Sequence, residues 1–485
     1  MQRRVVITGL GVLAPNGTGK EDFWQACIAG RSGIRRITRF DATPFPTQIA
    51  GEVADFDPVA SGLTQDEYVR LDRGTQFAIA AANMALADGL MCSGDPSAPL
   101  ARRQCGRHEN EDRHIDGRHI HLDEAQRERM GVYIGAAVAS VEEGEKLWVQ
   151  VTDRGAHPPR ALMDGFAPDR FTMGFVPAAA IAAHHQLYGP CMTVSTGCSA
   201  GADAIGQAYW CIQEGRADRM LAGGSDSAIN GGGINVFCVM RALSTRNDEP
   251  ERASRPYDAG RDGFVMAEGA GVLLLEEREL ALARHAPIYA EIIAFSSNSN
   301  AYHMTALPDD GAPLQHLLRQ ALEEARITSR QLGYINSHGS STPPNEAAET
   351  AAYKAIFGEQ AYHIPISATK SMIGHTQGAA SAIETIVTAL TLARQIIPPT
   401  INQEEADPRC DLDYVPNTAR HLQPVGAGEG LPSLSVALTH SSGFGGVNTA
   451  LVLAHPNWHD SQEEQLAYAD VHDVAPREFT LPARQ

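Results

Sequence analysis

Met192-Thr193-Val194-Ser195-Thr196-Gly197-Cys198-Ser199-Ala200-Gly201-Ala202-Asp203 is the stretch from which the architecture can be read. A short apolar strand runs into Thr-Gly and a cysteine. A run of small residues follows, whose apolar positions Ala200, Ile205, Ala208, Tyr209 and Ile212 have helical period. Cys198 therefore falls at a strand-to-helix elbow, at the positive end of a helix dipole. Free backbone N–H groups and the dipole favour a thiolate there, which makes the thiol a candidate nucleophile. The alternative is an inert small residue buried under the helix.

Outward from this elbow, short apolar runs bounded by glycine recur. They cover 4–8, 131–135, 192–194, 219–223, 271–276, 288–295, 332–335, 364–367, 434–438 and 449–453. Helical period fills many of the gaps, as from Ala379 through Ile383, Ile386 and Leu390 to the stop at Pro398-Pro399. Strands alternating with helices predict an α/β architecture with sheets covered on both faces. With 485 residues, the chain suits one large α/β unit or two fused halves.

Composition narrows the function. Lys plus Arg number 39 against 58 Asp plus Glu, a net charge of −19 that repels a polyphosphate backbone, so no nucleic-acid partner is expected. The N-terminus reads as a short strand rather than a signal peptide, and no run approaches the ~18 apolar residues that span a bilayer. The eight cysteines are scattered without a CxxC pair, which predicts neither disulfide framework nor zinc ribbon and fits a reducing cytoplasm. Two stretches read as peripheral additions: a polar, histidine-rich insertion at about 92–129 and an acidic tail after His455.

Two motifs read as decoys. Gly9-Leu10-Gly11-Val12-Leu13-Ala14 matches the dinucleotide fingerprint, yet Pro15-Asn16-Gly17 breaks the helix that should hold the pyrophosphate. In the insertion, Cys105, His108, His114, His119 and His121 match no tetrahedral spacing, so no metal is expected. Two other histidines carry more weight. Tyr334-Ile335-Asn336-Ser337-His338 reads as a strand delivering a histidine into a Gly/Ser/Thr/Pro loop, and Lys370-Ser371-Met372-Ile373-Gly374-His375 is expected to do the same before the next helix. Strand ends are where ligands and catalytic groups collect in α/β proteins, although either histidine alone is equally a satisfied core residue. Thr439-His440-Ser441-Ser442-Gly443-Phe444-Gly445-Gly446 is a turn that either aims a backbone N–H at an oxyanion or is merely tight.

Taken together and in this order, STGCSAG at Cys198, YINSHGSSTPPNE at His338, KSMIGH at His375 and SGFGG at Phe444 resemble the β-ketoacyl-acyl-carrier-protein synthases. RALSTRND, SRPYDAGRDGFVMAEGAG and NAYHMT are similar to that family's intervening segments, and the resemblance covers roughly 3–455 without the insertion. It implies the thiolase fold, two similar βαβαβαββ halves in five α-β-α-β-α layers. The halves would be 1–287 and 288–455, with 456–485 a polar tail.

The resemblance also implies roles. Cys198 takes the acyl chain, and His338 and His375 face the enolate oxygen formed when a malonyl thioester loses carbon dioxide. The N–H groups of Cys198 and Phe444 face the tetrahedral oxyanion, and Lys370 with Glu384 tunes the second histidine. Thr305, Ser340 and Thr342 would bind the phosphopantetheine on which the substrates ride, with no other cofactor. Val138 and Ser442 would shape the acyl channel, and Arg70, Arg73, Arg241 and Arg246 would dock an acidic acyl carrier protein.

Ser442 stands where fatty-acid elongating synthases have a bulky Phe, and STGC with Ser before GFGG resembles the ketosynthase chain of type II polyketide synthases. Val447-Asn448 keeps the fatty-acid pattern. The expected function is thus decarboxylative Claisen condensation in polyketide elongation, by a heterodimer with a Cys-lacking chain-length-factor homologue. The alternative is a homodimeric fatty-acid 3-oxoacyl synthase. A catalytically silent partner chain is disfavoured by Cys198.

Overall fold

The structure is a computed structural model and describes residues 2–90, 122–139, 141–154, 156, 173–422 and 434–458. The five candidate metal ligands of the insertion, and the tail from 459 on, lie outside the described residues.

Each of the ten apolar runs forms a strand. They are β1 (Val5–Ala14), β2 (Met130–Gly135), β3 (Cys191–Val194), β4 (Arg219–Asp226), β5 (Gly269–Glu277), β6 (Ala290–Ser299), β7 (Tyr334–Asn336), β8 (Ile366–Ser367), β9 (Val436–Ser442) and β10 (Val447–Ala454). Their lateral order is β8-β7-β9-β10-β6-β1-β5-β4-β2-β3. Read outward from the middle, β1-β5-β4-β2-β3 repeats as β6-β10-β9-β7-β8, with the same parallel and antiparallel pairings. The two sets meet through Val5↔Ile292, Val6↔Glu291 and Ile7↔Ala290.

Six helices complete the duplication: α1 (Arg73–Leu90), α2 (Val176–His185), α3 (Ala200–Gln213), α4 (Ala312–Ala325), α5 (Asn345–Phe357) and α6 (Ala380–Arg394). Helices α1 and α2 pack outside the first set of strands, and α4 and α5 outside the second. Helices α3 and α6 touch each other and strands of both sets, which makes them the middle layer. Each half thus reads βαβαβαββ, and the layers run α-β-α-β-α, as the thiolase fold requires. Every residue of α6 from Ala380 to Leu392 is buried, so the polar groups it carries must find partners inside the protein. Ser381 accepts from Ala202 N, Thr385 and Thr388 donate to the Ser381 and Glu384 carbonyls of their own helix, and Glu384 takes a lysine.

Small residues set the layer spacing. Gly9 and Gly11 do not open a nucleotide turn but lie inside β1, where a Cβ would come within 2.1 Å and 1.9 Å of the Ala85 and Ala81 carbonyl oxygens of α1. Among the described residues no helix is long and apolar enough to cross a membrane.

The middle layer yields a stability prediction. A Cβ on Gly201 would lie 2.8 Å from Ala382 Cβ and 2.9 Å from Ala382 N. Alanine gains up to ~1 kcal/mol of helix propensity, but overpacking against backbone costs ~1–3 kcal/mol and should win. Gly201→Ala should lower the thermal unfolding midpoint by a few degrees. An unchanged or raised midpoint would show that α3 and α6 have room to separate.

Candidate active site

The elbow between β3 and α3 is built as expected, through one turn of 3₁₀ helix at Gly197–Ser199. Gly197 takes φ +63, a left-handed conformation that lets the chain reverse into the helix. Side chains pin the turn: Thr196 Oγ1 donates to Asp203 at 2.5 Å, and Ser199 Oγ donates to the Val447 carbonyl at 2.9 Å. The expectation of a resting thiolate is corrected. Burial pushes the Cys198 thiol up to about 11, while Lys370 and the N–H groups of Phe444 and Cys198 pull the other way. Desolvation outweighs the dipole, so the resting group is a neutral thiol.

His338 lies in the loop after β7. That loop needs positive φ at Gly339 (+40) and Ser341 (+71). Two carboxylates of α5 hold it there: Glu349 accepts from Gly339 N at 3.1 Å, and Glu346 from Ser341 N at 2.7 Å. Glu346 also meets Arg261 at 3.0 Å. Burial foremost pushes Glu346 up to about 7 and raises Glu349. The loop composition around His338 gave no hint of either role. The available signal was two carboxylates three apart in an alanine-rich helix.

His375 is not delivered by a strand. Lys370–Ile373 forms a short buried helix after β8, and His375 follows Gly374, bridging to Met266. Gln377 N–H donates to His375 Nδ1 at 3.1 Å, so the ring proton sits on Nε2. The two imidazoles stand 5.4 Å apart, centroid to centroid, at 75°. Lys370 Nζ donates to Glu384 Oε1 at 2.5 Å and to the His338 carbonyl at 2.7 Å, and lies 3.5 Å from His338 Nδ1. Burial, and then the Lys370 charge, holds both histidines well below their usual value. They are neutral donors.

These groups converge on one cavity of about 440 Å³, lined by Cys198, His338, His375 and Phe444 among others. Thr305, Ser340, Thr342, Ser442 and Arg241 line it too. Ser340 and Thr342 hydroxyls lie 2.9 Å apart. Val138 is not part of this wall and packs instead against the apolar cluster of Ile229, Ile234 and Met266 behind Phe237. Sequence reading also missed Phe237, which stacks on Phe444 at 6.3 Å, and Phe264, 5.3 Å from His375.

The four arginines expected on a docking face differ. Arg241 is exposed at the cavity and Arg70 is exposed but pairs with Asp66 at 2.8 Å. Arg246 is half-buried and donates to the Gly260 carbonyl at 2.8 Å. Arg73 is a structural ion instead: it meets the fully buried Glu268 at 2.9 Å and packs over Phe77. A buried carboxylate needs that cation, so Arg73 has little to offer a partner. Among the described residues no cluster of three or more His, Cys, Asp or Glu side chains is arranged to hold a metal.

Comparison with known proteins agrees with this geometry. The β-ketoacyl synthase N-terminal domain model matches residues 2–96 and 111–281, and the C-terminal domain model residues 289–404. The tetracenomycin polyketide synthase ketoacyl synthase alpha subunit of Streptomyces glaucescens is 40% identical over 94% of this chain and 98% of its own. The 3-oxoacyl-[acyl-carrier-protein] synthase 2 of Coxiella burnetii is 40% identical over 93% of this chain and 99% of its own. A type II polyketide ketosynthase, solved with its acyl-carrier protein and bound to a hexaketide, superposes with a TM-score of 0.78 at 34% identity, covering 94% of this chain and 100% of its own. The ishigamide ketosynthase/chain length factor gives 0.77 at 31%, covering 94% and 99%. The chain belongs to the β-ketoacyl synthase family.

Proposed function

We infer that this chain is a 3-oxoacyl-[acyl-carrier-protein] synthase that elongates a polyketide chain in a type II assembly. The observation that carries the reading is the convergence of one thiol and two imidazoles on a single cavity, in a chain 40% identical to a ketoacyl synthase alpha subunit over 98% of that subunit's length.

The chemistry follows from these groups. In acyl transfer, Cys198 Sγ attacks the carrier-bound thioester, a new S–C bond forms, the old one breaks, and the departing pantetheine thiol takes up the proton that Cys198 gives up. The tetrahedral oxyanion falls to the N–H groups of Cys198 and Phe444. A malonyl thioester then enters, loses carbon dioxide and leaves its bonding electrons as an enolate. His338 and His375 donate to the enolate oxygen, and the carbon attacks the acyl thioester on Cys198. The tetrahedral intermediate collapses by breaking the acyl–Sγ bond, the 3-oxoacyl chain stays on the carrier, and the released Cys198 thiolate takes a proton from solvent. Lys370 and Glu384 hold the histidines neutral and in place. Thr305, Ser340 and Thr342 hydrogen-bond the phosphopantetheine arm. Arg241, Arg70 and Arg246 meet the acidic carrier, a local attraction that a net charge of −19 makes necessary.

The polyketide subclass rests on Ser442. It lines both the main cavity and a small void of about 20 Å³ bounded by Leu307, Pro308 and Leu314, so the smaller side chain keeps this wall of the cavity open. A partner chain fits at β3, an edge strand beside the exposed Phe175, Tyr188 and Met192. Paired edges bury such surfaces, and the ishigamide neighbour pairs a ketosynthase with a chain length factor.

Three outcomes test the reading. Cys198→Ala should abolish acylation, read by intact mass with an acyl-carrier donor, yet leave malonyl decarboxylation measurable; label on any other residue removes Cys198 as the acyl carrier. Iodoacetamide should alkylate wild-type Cys198 slowly at neutral pH, with a rate rising about tenfold per pH unit toward about 11 because only the thiolate reacts. A plateau near pH 8 contradicts a neutral resting thiol. Finally, co-expression with a Cys-lacking homologue should give an active heterodimer in which Ser442→Phe slows late elongations more than the first. Full, length-controlled elongation by a purified homodimer would favour the fatty-acid reading instead.

A further inference from the structure

We propose that Ser441 is a positioning residue that fixes the aim of His338; this rests on the condensing-enzyme reading above. Ser441 is fully buried on β9. Its Oγ lies 3.2 Å from His338 Nδ1 and 3.1 Å from the carbonyl oxygen of Cys198. One hydroxyl therefore touches both the imidazole and the peptide of the nucleophile.

His375 has a main-chain group for this task, since the Gln377 N–H occupies its Nδ1. Among the described residues no amide donates to His338 Nδ1, and two side chains face it instead. Lys370 Nζ lies at 3.5 Å, beyond ordinary hydrogen-bond length, with its short bonds spent on Glu384 and the His338 carbonyl. An ammonium carries donors alone, so its presence there keeps the proton off Nδ1 and on Nε2. Ser441 is the nearer group, and its single hydroxyl proton, which the Cys198 carbonyl accepts at 3.1 Å, reaches Nδ1 at 3.2 Å as a shared, three-centre donor. Its second contact, to Cys198, references the ring to the sulfur. Deleting the hydroxyl leaves the imidazole with the long lysine contact and freedom to turn, while the Cys198 and Phe444 amides that serve acyl transfer stay in place. Enolate stabilisation, which needs both imidazoles aimed at one oxygen, should suffer first.

The test separates the two half-reactions. Full-length wild type, Ser441→Ala and Ser441→Thr are assayed for acylation of Cys198 by mass and for carbon dioxide release from malonyl-acyl-carrier protein. Ser441→Ala should lower kcat for decarboxylation about tenfold more than it lowers the acylation rate, with KM for the malonyl carrier unchanged, because a misaimed donor costs less than the hundredfold or more of a deleted one. Ser441→Thr keeps the hydroxyl on a strand that accepts β-branched residues and should restore the ratio. Equal loss of both half-reactions, complete loss of both, no loss in either, or no rescue by threonine overturns the proposal. A wild-type enzyme that neither acylates Cys198 nor decarboxylates malonyl carrier overturns the condensing-enzyme reading itself and this proposal with it.

Discussion

A single buried cation organises the reaction centre. The Lys370 side chain is 1% exposed, and its ammonium spends two short hydrogen bonds on Glu384 Oε1 and the His338 carbonyl. Removing one partner of such a pair typically costs ~3–5 kcal/mol, because the other charge is left buried and alone. The lysine therefore has to stay on Glu384, and Glu384 is fixed in turn by α6, which is sealed between the two sets of strands. Through the His338 carbonyl the same cation holds the loop that carries the first histidine. Its field adds to burial in keeping His338, His375 and His440 uncharged, and it opposes burial at the Cys198 thiol.

The duplication explains why such distant segments meet. Cys198 follows β3 and precedes α3, while Lys370 and His375 follow β8 and precede α6. These are the same position in the two halves, and since α3 and α6 are neighbours in the middle layer, the loops that feed them must adjoin. The turn between β9 and β10 carries Phe444 over Gly197, whose Cβ position lies 3.2 Å from the Phe444 carbonyl oxygen. Asp226, at the end of β4, stitches the halves from below. It accepts from Ala137 and Val138 after β2 and from Gly378 after His375.

Much of this was legible in the chain. The ten strands follow from apolar runs bounded by glycine, and α6 from its period, because those signals are local. Cys198, His338 and His375 could be singled out because each sits in a motif near an element boundary, whereas Lys370 and Glu384 came only with the family resemblance, Glu384 reading by itself as a helix-face residue. What stayed hidden depends on contacts across the fold. Arg73 reads as a surface cation in its helix, and only the position of Glu268, almost two hundred residues on, makes it structural. Ser441 is one serine of a pair, and its neighbour drew attention because it departs from a motif. Val138 matches a family position, yet it packs on the cluster of Ile229, Ile234 and Met266, which are about ninety residues or more away in sequence, so no local spacing reveals its surroundings. The thiol was misjudged for a related reason: helix dipoles can be read from sequence, while the depth at which their ends are buried cannot.

That depth has a chemical consequence. Burial raises the Cys198 thiol to about 11 and Asp226 and Glu346 to about 7, and it depresses the histidines, so desolvation drives each of these groups toward its uncharged form. At Glu384 the charge and hydrogen bond of Lys370, 2.5 Å away, oppose burial. A site with so little fixed negative charge near the cavity is poorly suited to a resting thiolate and well suited to transient ones. When negative charge appears on sulfur, on the tetrahedral oxygen or on the enolate, amide and imidazole N–H dipoles are already aimed at it. In a medium of low polarity such oriented donors act at close to full strength, because they are held in place before the charge forms. The same desolvation that suppresses the resting nucleophile therefore strengthens the stabilisation of every anion formed after it, which is the balance a two-stage condensation needs.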